Sequence, residues 1–195
     1  VAKNILVLSG SPKKDGNTAT LVDWLCQGAR NSGAQCEVIQ TAFLKYKTLG
    51  CTSCRACQKL AAYECVICDE AQPVLKKMAE ADVIVMATPL YFFGPSAQLK
   101  IILDRMFSLY KWDNVAGTMV TPLKGKTLVV LASAFEDIGL DALAKPFELT
   151  ATYTGMKFVS LLIANAGTSG HIADLADARN KAMTLGADIA QEKRT

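Results

Sequence analysis

Asn4-Ile5-Leu6-Val7-Leu8, followed by Ser9-Gly10-Ser11-Pro12-Lys13-Lys14-Asp15-Gly16-Asn17-Thr18 and then by the amphipathic stretch Ala19 to Asn31, decides how the chain folds. The short apolar run reads as a buried strand, the next ten residues as a loop of hydroxyl, amide and glycine residues, and the spacing beyond as a helix. Free N–H groups and the positive dipole end at the start of such a helix, with hydroxyls beside them, make an anion site. The stretch therefore predicts a phosphorylated ligand at the first βα turn. A Walker A loop has four residues between its glycines and then Lys and Ser/Thr; here Gly10 and Gly16 enclose five, and Asn17-Thr18 follows. The dinucleotide fingerprint is missing too, because Pro12 stands where a second close-approach glycine belongs. A monophosphate remains, against the purely structural alternative that Asp15 or Asn17 only caps the helix.

Outward from this unit, strand and helix periods alternate. Asn4 to Leu8, Cys36 to Thr41, Val83 to Thr88, Thr127 to Ala132 and Lys157 to Ile163 are short, apolar and rich in β-branched residues, as buried parallel strands are. Helical stretches fall at Thr18 to Asn31, Ala71 to Ala79, Ser96 to Leu109, Leu140 to Tyr153 and Ile172 to Glu192, with Gly33 and Gly155 near helix C-terminal ends. The alternation predicts an α/β fold, a flavodoxin-like three-layer sandwich around a five-stranded parallel sheet in the order 2-1-3-4-5. In that order the ligand sits at the switch point beside strands one and three. No linker, repeat or low-complexity tract interrupts the 195 residues, so 1–195 is expected to be a single domain, with a cysteine-rich loop at 50–69 inserted between strand two and helix two.

Ala87-Thr88-Pro89-Leu90-Tyr91-Phe92-Phe93-Gly94-Pro95-Ser96 follows the third apolar run. Consecutive aromatics at the carboxyl end of a strand make an apolar wall suited to a flat heteroaromatic ring, although core packing beneath a loop accounts for aromatics equally simply. Joined to a monophosphate site at the switch point, the wall predicts the two ends of flavin mononucleotide (FMN).

Ser-Gly-Ser-Pro-x-x-x-Gly-Asn-Thr at 9–18, with Ala81 to Lys100 and then Ile101-Ile102-Leu103-Asp104-Arg105, resembles the flavodoxin-like NADPH-dependent FMN reductases over most of the chain. The resemblance implies bound FMN, with Ser9, Ser11, Lys13, Gly16, Asn17 and Thr18 around the phosphate. It implies Pro89, Leu90, Tyr91, Phe92, Phe93 and Gly94 around the ring and ribityl chain, and the segment Ser133, Ala134, Phe135, Glu136 and Asp137 bordering the ring. That last loop departs from the glycine-rich form often seen in the family. The chemistry is then centred on the flavin, and no side chain is expected to act as a catalytic acid or base. NAD(P)H is expected as co-substrate, with a quinone, a flavin or a small redox protein as acceptor. The helix bearing Lys100, Asp104 and Arg105 is expected near a dimer interface, in a homodimer or higher homo-oligomer.

Five of the seven cysteines fall in one segment, Cys51-x2-Cys54-x2-Cys57-x7-Cys65-x2-Cys68. Thiolates at C-x2-C-x2-C have the local geometry that wraps three corners of a [4Fe–4S] cluster, and Cys65 is the obvious fourth ligand. The segment resembles the iron–sulfur flavoprotein branch of the same family, for which a ferredoxin becomes the expected electron donor. Cys51-x2-Cys54 with Cys65-x2-Cys68 equally spells two zinc knuckles, a redox dithiol is a third reading, and a metal-free loop near the flavin is a fourth. Cys26 and Cys36 read as helix and strand residues without a role.

A formal charge of +3 with scattered lysines lacks the basic run of a nucleic-acid binder. No apolar run reaches the roughly 18 to 20 residues of a membrane span, so a cytoplasmic protein without membrane insertion is expected. His171, the single histidine, reads as an exposed residue of a capping loop, so no histidine-based triad or zincin site is expected elsewhere in the chain.

Overall fold

The computed structural model describes residues 2–192; residue 1 and residues 193–195 of the expected domain span lie outside the described residues. Five parallel strands, β1 (Asn4–Ser9), β2 (Gln35–Gln40), β3 (Val83–Pro89), β6 (Thr127–Ser133) and β7 (Lys157–Ile163), form one sheet in the order β2-β1-β3-β6-β7. This is the expected 2-1-3-4-5 arrangement. An antiparallel hairpin of β4 (Lys111–Asp113) and β5 (Thr118–Val120) was not expected, and it occupies the connection before β6. Its three-residue strands carry no apolar run for a periodicity to register. The turn is made instead by Asp113, whose carboxylate accepts the N–H groups of Val115 and Ala116 at 2.8 and 3.0 Å, and by left-handed Gly117.

Side chains alternate across the sheet, so each strand feeds two cores. Leu6, Leu8, Ile84, Met86, Leu128 and Val130 point to one face, which is covered by α2 (Ala71–Glu80), α3 (Ala97–Arg105) and α4 (Leu140–Thr154). Ile5, Val7, Val83, Val85, Val129 and Leu131 point to the other, covered by α1 (Asn17–Asn31) and α5 (Ala176–Gln191). Central β3 is buried on both faces except at Pro89, which explains why its sequence is apolar without alternation. Fully burying one such Leu, Ile or Val contributes about 1.5–3 kcal/mol.

Two expected helices end differently. α3 starts after Ser96, whose hydroxyl accepts the Leu99 N–H at 3.3 Å, and it tightens into a 3-10 turn at Met106–Leu109 rather than running on as α-helix. The last expected helix begins as a separate 3-10 turn at His171–Asp174, and α5 starts only at Ala176. Gly33 and Gly155 both sit at helix ends with positive φ.

α1 and α5 meet through two glycines. A Cβ on Gly28 would lie 2.0 Å from the Met183 carbonyl oxygen, and one on Gly186 would lie 2.0 Å from that of Leu25. Helical glycine is usually a liability of about 1 kcal/mol against alanine. Here the missing methyl groups let two backbones touch. Gly28→Ala is expected to lower the unfolding free energy by about 1–3 kcal/mol despite its better helix propensity, measured by urea denaturation. Alanine at Gly33, where a Cβ meets nothing within 4 Å, costs about 1 kcal/mol through its positive φ alone.

Candidate functional site

Strand register brings the carboxyl ends of the sheet to one level: Ser9 lies opposite Ala87, Pro89 opposite Ser133 and Ser133 opposite Ile163. The loops that leave these strands therefore share one edge of the molecule. In the first loop Gly10 donates to the Ala87 carbonyl at 2.8 Å, and its own carbonyl accepts the Ser96 hydroxyl at 2.7 Å. Ser11 Oγ closes a local turn with the Lys13 N–H at 3.2 Å. α1 begins after Gly16 with no side chain capping it and no acidic residue in its first turn, so its leading N–H groups and positive dipole are left for an anion. Ser9 Oγ is buried without a hydrogen-bond partner beside this loop, the kind of orphaned donor that a phosphate oxygen satisfies. Ser11 and Thr18 are buried, and Lys13 is exposed at the rim.

The Asn17 side chain is engaged by backbone groups on the far side of the edge. Its amide nitrogen donates to the carbonyls of Ala166 and Thr168 at 3.0 Å and of Gly167 at 3.3 Å, while its oxygen accepts the Gly170 N–H at 2.8 Å. The side chain thus does not cap α1. It ties the segment 166–170, which leaves β7, to the start of α1. Ala166-Gly167-Thr168-Ser169-Gly170 is an element of this edge that sequence reasoning missed, although its two glycines after the last strand were a usable signal.

Leu90 donates to the Ser133 carbonyl at 3.0 Å, and Tyr91 and Gly94 exchange backbone hydrogen bonds at 3.0 and 3.1 Å around a two-residue turn. Phe92 and Phe93 occupy that turn with φ of 44° and 65°. Left-handed backbone suits glycine or asparagine, and holding bulky residues there costs roughly 1–3 kcal/mol each. Core packing does not account for these aromatics: Tyr91 and Phe93 are about half exposed and Phe92 is 100% exposed. Across from them Ser133 and Ala134 are buried, whereas Phe135 and Ile138 are exposed. An apolar rim thus stands beside the loop that leads into α1.

The cysteine segment is irregular, broken by a 3-10 turn at Ala56–Lys59 that follows left-handed Arg55. Cys51, Cys54, Cys57 and Cys65 all line one cleft, with Arg105, Phe107 and Ser108 at its wall. Cys68 faces elsewhere, toward Lys45, Lys47, Asp69 and Glu70. That separation leaves the two-knuckle zinc arrangement without its fourth ligand. The four thiols are soft donors with no histidine or carboxylate competing in the cleft lining, a set that suits iron and sulfide. They share the cleft without being drawn together, since among the described residues no three His, Cys, Asp or Glu side chains are close enough to hold a metal ion. The backbone N–H of Ala56 and the Thr52 hydroxyl hold the Cys54 thiol below its ordinary range.

A buried ion pair anchors this segment. Arg105, 1% exposed, directs one guanidinium nitrogen to both Asp69 oxygens at 2.7 and 2.8 Å and the other to the Ile67 carbonyl at 3.1 Å. Asp69 also accepts the N–H groups of Lys47 and Ala71. Burial pushes its carboxyl up, but the hydrogen bonds from Arg105 and Lys47 outweigh this and hold it below the usual carboxylate range. Arg105 Nε is buried without a partner, and Arg105 lines the same cleft as Cys65. Lys100 and Asp104 form an exposed ion pair on α3, whereas Arg105 on the same helix is buried.

Comparison with known proteins follows the same lines. A family model described as NADPH-dependent FMN reductase matches residues 3–170. An iron–sulfur flavoprotein of Methanocaldococcus jannaschii is 38% identical over 101 residues, 52% of this chain and 50% of the relative. One from Archaeoglobus fulgidus is 34% identical over 97 residues, 50% of this chain and 42% of its own. The chain spans about half the length of these relatives or less. Among solved structures, an FMN-dependent NADH-azoreductase from Bacillus anthracis superposes with a TM-score of 0.74 over 96% of this chain and 100% of that one, at 13% identity. An NAD(P)H:quinone oxidoreductase from Methanothermobacter marburgensis gives 0.72 over 99% and 100%, at 14% identity. At such identities the likeness establishes the flavodoxin-like fold alone.

Since the Asp69 pKa is depressed in the folded state, its contribution to stability is fully present above the unfolded value of about 3.9 and is lost as pH falls through the folded value. Asp69→Asn strands a buried guanidinium and is expected to cost about 3 kcal/mol or more at neutral pH. Urea denaturation across an acid series should show the variant falling less steeply than the parent below about pH 4.

Proposed function

Because the chain belongs to the family of NADPH-dependent FMN reductases, we propose that it is an FMN-dependent oxidoreductase passing reducing equivalents from NAD(P)H to a quinone, a flavin or another electron acceptor. The observation that carries this reading is the meeting, on one edge of the sheet, of an uncapped helix start, an orphaned buried Ser9 hydroxyl and an exposed apolar turn. FMN, when bound, supplies a ring that accepts and releases electrons, which the protein's own side chains cannot do. Ser9, Ser11, Thr18 and the first N–H groups of α1 hold its phosphate, with Lys13 neutralising charge from the rim. Pro89 to Gly94 and the segment 133–137 flank the ring. The strained Phe92–Phe93 turn holds its aromatics out of the core, so apolar surface is ready without a collapse that binding would have to reverse. No side chain in this edge is needed to move a proton.

A second reading has its own observation, the cleft lined by Cys51, Cys54, Cys57 and Cys65. In an iron–sulfur flavoprotein these four would hold a [4Fe–4S] cluster, as the names of the relatives suggest, and the chain would carry electrons from a ferredoxin without turning over NAD(P)H. A homodimer and a cytoplasmic location accompany either reading; the free thiols suit a reducing compartment.

An anaerobic absorbance spectrum with iron and acid-labile sulfide assays on the same sample separates the readings. Flavin bands with about four irons per chain, reduced to near none by Cys57→Ser, support the cluster. Flavin bands without iron, together with NAD(P)H oxidation, support the simple reductase, and failure to bind added FMN overturns both. Asn17→Ala releases the 166–170 segment from α1 and is expected to weaken FMN binding about tenfold, or 1.4 kcal/mol, by fluorescence titration.

A further inference from the structure

Far from the flavin edge, at the opposite ends of the strands, two thiols that read as unremarkable core residues stand against each other. Cys26 lies in the last turns of α1 and Cys36 near the start of β2, opposite Ile5. Their sulfurs share a hydrogen bond of 2.9 Å. Cys26 is 1% exposed, Cys36 is half-buried, and the Arg30 guanidinium donates to the Cys36 carbonyl at 3.1 Å. Neither residue belongs to the 51–68 segment, and neither touches the proposed flavin or cluster sites.

We propose that Cys26 and Cys36 are a dithiol that closes to an intramolecular disulfide on reaction with a small-molecule disulfide. The two sulfurs need to approach by less than 1 Å to reach the roughly 2.05 Å of a bond, and α1 and β2 are already joined by a short turn through Gly33, so closure requires only side-chain rotation and slight backbone adjustment. The roles of the two sulfurs follow from their surroundings. The hydrogen bond from Cys26 lowers the Cys36 thiol below its ordinary range, burial opposes this and Arg30 assists; the same hydrogen bond and deeper burial push Cys26 up. Cys36 is therefore the attacking thiolate and Cys26 the resolving thiol.

The chemistry balances in two exchanges. Cys36 thiolate attacks one sulfur of RSSR, forming the mixed disulfide and releasing RS⁻. Cys26, giving up its proton to solvent, attacks Cys36 Sγ, forms the Cys26–Cys36 bond and expels the second RS⁻. The protein loses two protons and two electrons, and one RSSR becomes two RSH. The product joins the C-terminal turns of α1 to β2, an edge strand whose one sheet neighbour is β1, where local opening is easiest.

The test treats the FMN-loaded protein with oxidised glutathione, alkylates the remaining thiols and digests with trypsin without reduction. Cleavage after Lys14, Arg30 and Lys45 puts Cys26 in peptide 15–30 and Cys36 in peptide 31–45, each with no other cysteine. The expected result is a joined 15–30/31–45 species replacing both single peptides. Cys26→Ser is expected to trap glutathione on Cys36, and Cys36→Ser to leave Cys26 unmodified. Recovery of both single peptides alkylated from folded parent protein, or of the joined species only when the digest follows unfolding in guanidinium, overturns the proposal. Because the parent protein gives this result by itself, misfolding of either variant does not obscure it.

Discussion

Gly10 is the point at which the two halves of the ligand edge are stitched together. Its N–H reaches Ala87 on β3 and its carbonyl takes the hydroxyl of Ser96, the residue that caps α3. A Cβ at this position would lie 2.5 Å from Ser96 Oγ and 2.6 Å from Leu99 Cβ, so only glycine lets the loop after β1 press against the start of α3. Everything placed at the edge follows from that contact. The turn bearing Tyr91 to Phe93 is held between Pro89 and Ser96, and its distance from the anion loop is therefore set by backbone hydrogen bonds in the middle of the sheet. A site built on such elements is more rigid than its loops suggest.

The cysteine segment faces the opposite problem, because it has almost no regular structure to hold it. Arg105 and Asp69 supply the anchor. One guanidinium binds the carboxylate and the Ile67 carbonyl, while the carboxylate collects N–H groups from Lys47 and Ala71. Two ends of a long irregular stretch and the start of α2 are thereby fixed to a single residue of α3. A buried pair of this kind contributes little compared with well-packed apolar side chains, yet breaking it is costly. Its value here is positional: it sets which cysteines share a cleft, and it leaves Cys68 outside.

Much of this was legible in the sequence because it depends on local periods. The five parallel strands, the helices between them and the glycine-bearing helix ends are fixed by patterns within a window of a dozen residues. The glycines of 9–18 likewise mark the loop between β1 and α1. What escaped were features whose cause is distant in the chain. Asn17 looked like a capping or phosphate residue, and only the approach of β7 gives its amide five backbone partners to choose among. The hairpin at 111–120 was invisible because strands of three residues have no period to detect.

The sequence by itself determined the doubly wound fold, the place of the anion loop within it, and the grouping of five cysteines, since each rests on spacing along the chain. Only the tertiary structure decided which thiols face one another, with Cys51, Cys54, Cys57 and Cys65 on one cleft and Cys26 against Cys36. It alone decided that Phe92 stands in solvent and that Arg105 is buried. The physical reason is that periodicity reports which face of an element is apolar, whereas side-chain partners across elements depend on strand register and helix packing, quantities that no single stretch of sequence carries.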